Sequence, residues 1–426
     1  MGDSKLALRH AIMAYAQTRW TARSCRSRPA LERLQQHRLD HWLNNSLPKV
    51  PYYHDALADL ADLPIIDKAV LMQNFDQFNT AGIDAETGWA AFAGDKHVGD
   101  HIVGASTGTS GNRGLFVISQ AERFRWLGTI LAKALPGFWR QVHRIAIMLP
   151  LNTPLYASAN RLPTLQLRFY DLTQPMDQWV DDLTGLDPTV IIAPPKVLRW
   201  MVDQKVQLNP RRVFSGAEKL DDFDRDIINQ YFSLKMGQIY MATEGLFAVT
   251  CEHGALHLNE DTMFFELPQV GDDPDLREMI ITDFSRHVQI MARYRMNDLV
   301  RLSPDPCPCG APTHVLAEVV GRADDCFHLP GRDGQVMLTP DILRNTVIDT
   351  DRSIDDFRVL QTGPQSIQVH LPPATPADVC AAVQSAMTAL MAKKQVNAAV
   401  TVEPHTLQTS GDRKLRRVEN QHKPNG

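Results

Sequence analysis

Ser106-Thr107-Gly108-Thr109-Ser110-Gly111-Asn112-Arg113-Gly114 is the stretch on which the reading of this chain turns. Its three glycines permit positive φ and let backbone N–H groups approach a ligand closely. Hydroxyls from Ser106, Thr107, Thr109 and Ser110 crowd the same short loop, as a cradle for an anion requires. The Gly-Lys-Ser/Thr ending of the common phosphate loop is absent, which excludes that mode of binding. Taken alone, the stretch is also what a surface turn looks like.

Outward from this loop, the chain divides by character. Residues 1–78 read as mostly helical, with Pro48, Pro51 and Pro64 as breaks. From about 115 to 300, a helical pattern at 121–135 alternates with short apolar runs at 144–149, 189–193, 212–214, 238–241 and 278–282. Strands interleaved with helices predict a layered α/β unit. Beyond Gly321 the pattern becomes strand (357–360), strand (366–371), helix (376–394) and strand (398–402), a small α+β unit. A chain of 426 residues exceeds what one core serves, and Gly321-Arg322-Ala323-Asp324-Asp325 is the natural boundary.

Composition narrows the function. Hydrophobic residues make up 44% and charged residues 22%, as in ordinary globular proteins. The net charge of −5 gives no global basic field for nucleic acid. No apolar run approaches the ~18 residues that span a bilayer. The N-terminus mixes Lys5, Arg9, His10 and Arg19 with Leu6, Leu8, Ile12, Met13 and Tyr15, so an amphipathic surface helix is expected rather than a signal peptide. Six cysteines in this length do not form a disulfide framework, and a reducing, cytoplasmic setting with no nucleic-acid or membrane partner is expected.

Three further motifs carry chemistry. Tyr240-Met241-Ala242-Thr243-Glu244-Gly245 places a carboxylate at a strand end beside a hydroxyl, where Mg²⁺ and phosphate oxygens can be held. Alone, Thr-Glu-Gly is equally a helix cap. Arg293 to Leu299 puts Asp298 after a predicted strand, where a carboxylate accepts from ribose hydroxyls, or simply ends a surface turn. Ser410 to Val418 carries Lys414, a mobile point charge suited to phosphoryl transfer, or an ordinary solvated basic tail.

Order and spacing decide between these readings. From about Val103 to Val418 the motifs together resemble the adenylate-forming superfamily of acyl-CoA ligases, peptide-synthetase adenylation domains and luciferases. The phenylacetate-CoA ligase-like branch, with its deazaflavin-cofactor adenylylating relatives, is the most similar. The resemblance implies an α/β fold with a large layered N-terminal adenylate-forming domain (1–321) and a small mobile α+β C-terminal lid (322–426). It implies that Ser106, Thr107, Gly108, Thr109, Ser110 and Gly111 grip the ATP β/γ-phosphates. Ser215, Gly216, Ala217 and Glu218 would lie along the adenine with Tyr240 and Met241. Thr243 and Glu244 would meet the α-phosphate and Mg²⁺, and Asp298 the ribose. Arg322 would sit near the nucleotide, Asp324 would be the hinge pivot, and Lys414 the lid lysine required for adenylation. Departures are Asn112-Arg113 where many relatives have Pro-Lys, Met296-Asn297 where many have Thr-Gly, and Arg413 in place of Gly before Lys414. Arg113 could supply the charge of the missing loop lysine, and the same substitution is equally what a distinct subgroup would carry.

Cys251, His257, Cys307 and Cys309 offer three thiols and an imidazole, the donor set of a closed tetrahedral zinc site. Two unrelated loops with reduced cysteines is the alternative. The same branch holds structural zinc with this layout, and His257 fits it better than His253. The acid pocket is expected between Phe214, Ala217, Ala242, Leu246 and Phe247, an apolar, flat lining for an aromatic acid. The implied reaction is ATP/Mg²⁺-dependent formation of an acyl-adenylate, then transfer to coenzyme A. A carrier-protein thiol or another acceptor, or a non-catalytic nucleotide-binding protein on this fold, are the competing readings.

Overall fold

The computed structural model describes residues 2–55, 59–106, 113–149, 164–351, 353–354, 356–407 and 416–422, with backbone alone for 2–7. Among the described residues the strands form four sheets, the largest of eleven strands. Its spatial order is Met263–Glu266, Leu276–Asp283, Tyr294–Leu302, Val315–Arg322, Leu256–Leu258, Gly245–Thr250, Gly237–Ala242, Arg212–Gly216, Val190–Ala193, His143–Leu149, Leu165–Asp171. The last five pair in parallel; from Gly237–Ala242 onward every pairing is antiparallel.

The inner strands of the parallel half are buried on both faces, which is why they read as apolar runs without alternation; the edge strand Leu165–Asp171 is more open. Ala146, Met148, Ile191, Ala193 and Val213 face the helices Val180–Leu186, Pro195–Asp203 and Asp222–Phe232. Their neighbours Ile145, Ile147, Val190 and Phe214 face the helix Gln120–Ala134. That helix begins in a capping box, with Ser119 and Glu122 satisfying each other's backbone donors. Trp42, Tyr53 and Phe78, from the helix Arg28–Asn45 and the 3-10 turns after it, pack on Met279, Ile281 and Tyr294 of the antiparallel half.

The N-terminal helix Gly2–Ser24 differs from the expected amphipathic pattern. Its buried face is small and polar, through Ala11, Thr18 and Thr21, while Ile12, Met13 and Trp20 point outward. The reason lies in the opposing helix: a Cβ on Gly128 would stand 2.1 Å from the Ala11 carbonyl oxygen, so the two backbones touch and leave no room for large side chains.

After Val315–Arg322 the chain builds a small α+β domain. Its sheet runs Ala399–Pro404, Ser366–Leu371, Arg358–Gly363, Val418–Asn420, with the helices Pro340–Ile348 and Ala377–Lys393 beside it. Its core, including Phe327, Leu343, Phe357, Val369, Val383 and Met387, is separate from those of the large sheet.

Candidate functional site

In open parallel sheets, ligands collect where the strands' carboxyl ends meet a change of direction. Here a cavity of about 2090 Å³ opens at that place and is walled on its other side by the C-terminal domain. Ser215, Gly216, Ala217, Glu218, Tyr240, Met241, Thr243, Glu244, Asp298, Arg322 and Asp324 all line it, together with Ser106. The motif residues Thr107, Gly108, Thr109, Ser110, Gly111 and Lys414 lie outside the described residues.

The segment after the strand Arg212–Gly216 is strained. Ala217 has φ +69°, and the Glu218 N–H donates to the Gly216 carbonyl at 2.9 Å, closing a three-residue turn that non-glycine residues rarely adopt. Glu218 is held by Lys196 at 3.0 Å. The next strand, Gly237–Ala242, returns at once as Gly245–Thr250, with Ala242 paired to Gly245. Thr243 and Glu244 are therefore the two tip residues of a hairpin projecting into the cavity. The Thr243 hydroxyl donates to Glu244 Oε2 at 2.8 Å, and Arg286 holds the Thr243 carbonyl at 2.8 Å. The Glu244 carboxylate otherwise meets the Tyr294 hydroxyl at 3.4 Å. Hydroxyls rather than a guanidinium satisfy it, which leaves it suited to a divalent cation.

Asp298 lies within the strand Tyr294–Leu302, not after a strand, and pairs across the sheet with Arg322. The sequence misplaced it because Asn297, at φ +61°, kinks the strand and turns Asp298 toward the cavity side. Tyr240, half-buried beside it, donates to Asp298 Oδ2 at 2.6 Å; desolvation and then this carboxylate push the phenol well up, so it stays a neutral donor. Arg322 Nε reaches Asp324 Oδ1 at 3.2 Å, and the Asp324 N–H donates to Asn297 at 3.1 Å, so the expected pivot is stitched to the ribose motif.

Arg113 stands at the described end of the loop, against two aromatic rings. Its guanidinium lies against Phe92 and Trp89, 5.3 and 5.9 Å from their ring centroids, and its Nε donates to the Ser106 carbonyl at 3.2 Å. Lys68 stands beside the Ser106 side chain: its Nζ donates to Ser106 Oγ at 3.2 Å. Ser106 Oγ also accepts from the Gly114 N–H at 2.8 Å, closing the loop's neck. Burial pulls Lys68 down, Arg322 adds to this, and Glu244 opposes it, so all three charges converge on one space. Neither Lys68 nor Arg286 was singled out from the sequence, since only the fold brings them to these motifs.

Phe214 and Phe247 are core residues and do not line the cavity. Phe214 packs on Gly237 and the 120–134 helix side, and Phe247, fully buried, stacks edge-on to Tyr240. On a strand flanked by two cores, an apolar side chain has a neighbour on either face, and the pattern cannot say which face is open. Ala217, Ala242 and Leu246 do line the cavity, with Phe116, Ile118, Trp126 and Ile130 opposite.

Downstream of Lys414, Arg416 pairs with Asp325, the neighbour of Asp324 (Nε to Oδ2 3.0 Å), and Arg417 with Asp221 at 2.5 Å. Burial pushes Asp325 up to about 6 while Arg416 opposes it. Arg344 also reaches Asp221, at 3.0 Å, and Arg301 binds Asp341 at 2.6 Å, so the C-terminal domain meets the large sheet through charges.

The ligand atoms of Cys251, His257, Cys307 and Cys309 all lie within 4.8 Å of one another. Cys251 and Cys307 sulfurs are 3.6 Å apart, and Cys309 Sγ is 3.3 Å from His257 Nε2. A tetrahedral zinc with bonds of about 2.3 Å to sulfur and 2.0–2.1 Å to nitrogen needs separations of roughly 3.6–3.8 Å. His257 Nδ1 sits 2.8 Å from Thr313 Oγ1, the outer-shell contact that fixes a ligating ring. His253 is half-exposed beside Glu252 and stands apart. Cys25 and Cys326 are buried, Cys380 is half-buried, and His143 is buried at the head of its strand.

No protein-family profile matches the sequence. Protein CapK of Staphylococcus aureus is 28% identical over 134 residues, covering 30% of this chain and 29% of that protein, so the match spans under a third of its length. 2-Hydroxyisobutyryl-CoA ligase, solved in the postadenylation state in complex with R3-HIB-AMP, superposes with a TM-score of 0.66 at 15% identity, over 92% of this chain and 89% of that one. ATP-bound MatB from Rhodopseudomonas palustris gives 0.53 at 14% identity, over 72% of this chain and 65% of that one.

Proposed function

The chain has the fold of the adenylate-forming, acyl-CoA ligase superfamily, and on that premise we propose that it joins a carboxylic acid to AMP and then passes the acyl group to coenzyme A. The observation that carries this reading is convergence. The Thr243–Glu244 hairpin tip, the Ser106–Lys68 neck, the strained 215–218 turn and the Asp298–Arg322 pair open onto one cavity. Elsewhere in this fold, proteins carry ATP or an acyl-adenylate.

In the first step a carboxylate oxygen bonds to the α-phosphorus, the bond to the bridging oxygen breaks, and pyrophosphate leaves with the electron pair. Such a step needs alignment and charge neutralisation more than covalent help from the protein. Asp298 would hold the ribose and the 215–218 turn the base. Lys68 and the loop beyond Ser106 would hold the departing phosphates. Glu244 and Thr243 would hold Mg²⁺ bound with ATP, which supplies charge neutralisation. Residues 322–426 would act as a lid carrying Lys414, pivoting at Asp324. In the second step a thiolate attacks the acyl carbon and AMP leaves. The lining of Ala217, Ala242, Leu246, Phe116 and Trp126 supports a flat apolar acid, aromatic in our reading.

Pyrophosphate release from ATP, screened over aromatic and aliphatic acids with and without coenzyme A, tests this. Release that requires an acid supports the proposal; ATP turnover independent of every acid overturns it. Lys68→Met is expected to weaken ATP use, seen in kcat/KM, by roughly ten- to a hundredfold, the worth of a charged hydrogen bond of about 1.5–3 kcal/mol. An unchanged kcat/KM for ATP removes Lys68 from the site.

Zinc at Cys251, His257, Cys307 and Cys309 is the structural part of the proposal. Cys251 follows the far end of the strand Gly245–Thr250 from Glu244, about 20 Å of strand away, so this metal would brace a loop and not touch ATP. Metal analysis is expected to find one zinc per chain. Cys309→Ser should lose it and cost about 3 kcal/mol or more, roughly 5 °C in Tm. A metal-free native protein with unaltered Tm in chelator contradicts this.

A further inference from the structure

We infer that the outer face of the N-terminal helix docks the protein on an anionic lipid surface. Among the described residues six large apolar side chains are exposed: Ile12, Met13, Trp20, Ile65, Trp139 and Val142. Five of these belong to two segments in contact, the helix Gly2–Ser24 and the turn that follows Gly137. Tyr15, half-buried, ties the two segments together, with its ring 5.1 Å from Trp139 and 5.3 Å from Phe138. Trp20 is 59% exposed and Met13 68%, although each has a large apolar surface to bury. Scattered exposed apolar residues need no explanation, but a cluster of this kind marks a docking surface.

The charge around the patch selects the partner. Arg9, Met13, Trp20 and Arg23 fall at helical spacing on the exposed face, so cations bracket the apolar centre. Arg26 is exposed just beyond it, and Arg140 lies beside Trp139. The first 28 residues hold six Lys or Arg and a single acid, Asp3, in a chain whose net charge is −5. An apolar stripe with tryptophan, flanked by arginine, is the pattern of a helix lying in a lipid headgroup layer. A two-fold dimer through the same face would set Arg9, Arg23 and Arg26 of one copy against those of the other, which opposes self-pairing. No helix of the described residues is long and apolar enough to cross a membrane, so the contact is peripheral. The inference is independent of the catalytic reading.

Flotation of the full chain with vesicles tests it. At low ionic strength, vesicles of phosphatidylcholine with added phosphatidylglycerol should bind at least about tenfold more protein than phosphatidylcholine alone. Added salt should release it, and tryptophan emission should shift to the blue on binding. The variant Met13→Ser/Trp20→Ser and, separately, Arg9→Glu/Arg23→Glu should each lose binding while keeping the parent's circular dichroism and melting curve. Four outcomes overturn the inference. They are no flotation at low salt, equal flotation with both vesicle types, folded variants that bind like the parent, or a parent dimer that dissociates in the variants without lipid binding.

Discussion

Lys414→Ala is expected to lower acid-dependent ATP–pyrophosphate exchange by about 10²–10³-fold, the usual cost of removing one donor from developing transition-state charge. Thioester formation from supplied acyl-adenylate should stay near that of the unaltered chain. The asymmetry follows from what a lysine does. An ammonium group neutralises charge gathering on the α-phosphate and the attacking oxygen during adenylation, whereas in the second step, in which AMP leaves with its own negative charge, the proposed lid movement would have withdrawn Lys414 from the phosphate. The sequence just after it meets the cavity wall: Arg416 is bound to Asp325 and Arg417 to Asp221. Equal loss in both half-reactions would make Lys414 a folding residue rather than a catalytic one.

Glu244→Gln should be comparably severe, about 10²-fold or more in kcat/KM, with the Mg²⁺ concentration for half-maximal rate shifted upward. The amide keeps the size and one acceptor but loses the charge that a hard cation requires. Because Thr243, Tyr294 and the hairpin geometry do not depend on that charge, the fold should be unaffected. A substitution that reduces rate without altering Mg²⁺ dependence would reassign Glu244 to positioning.

Local pattern carried much of this architecture. The strand at Ser366–Leu371 coincides with its apolar alternation, and the helix Ala377–Lys393 falls inside the predicted 376–394. Four of the five parallel strands were visible as apolar runs, whereas the edge strand Leu165–Asp171, with Gln166 exposed and Arg168 in its middle, left no such run to read. The hairpin tip was legible since Thr243 and Glu244 are adjacent, and the cysteine–histidine set since donor chemistry is specific. Contacts across the chain were not. Lys68 meets Ser106 across 38 positions, and nothing in Asp67-Lys68 beyond a helix start announces it. Phe214 and Phe247 show the complementary failure, because an apolar strand residue looks the same whether it faces a pocket or a core. The N-terminal helix turns Ile12 and Met13 outward because its backbone touches Gly128 at Ala11, while Tyr15 of the same apolar set packs against the core beside that crossing.

Exchange of radiolabelled pyrophosphate into ATP, run without coenzyme A, tests the central claim most directly. A reversible adenylate predicts label in ATP only when the acid, Mg²⁺ and the protein are all present. Cleavage of ATP to ADP and phosphate, or no exchange with any acid that supports turnover, contradicts it.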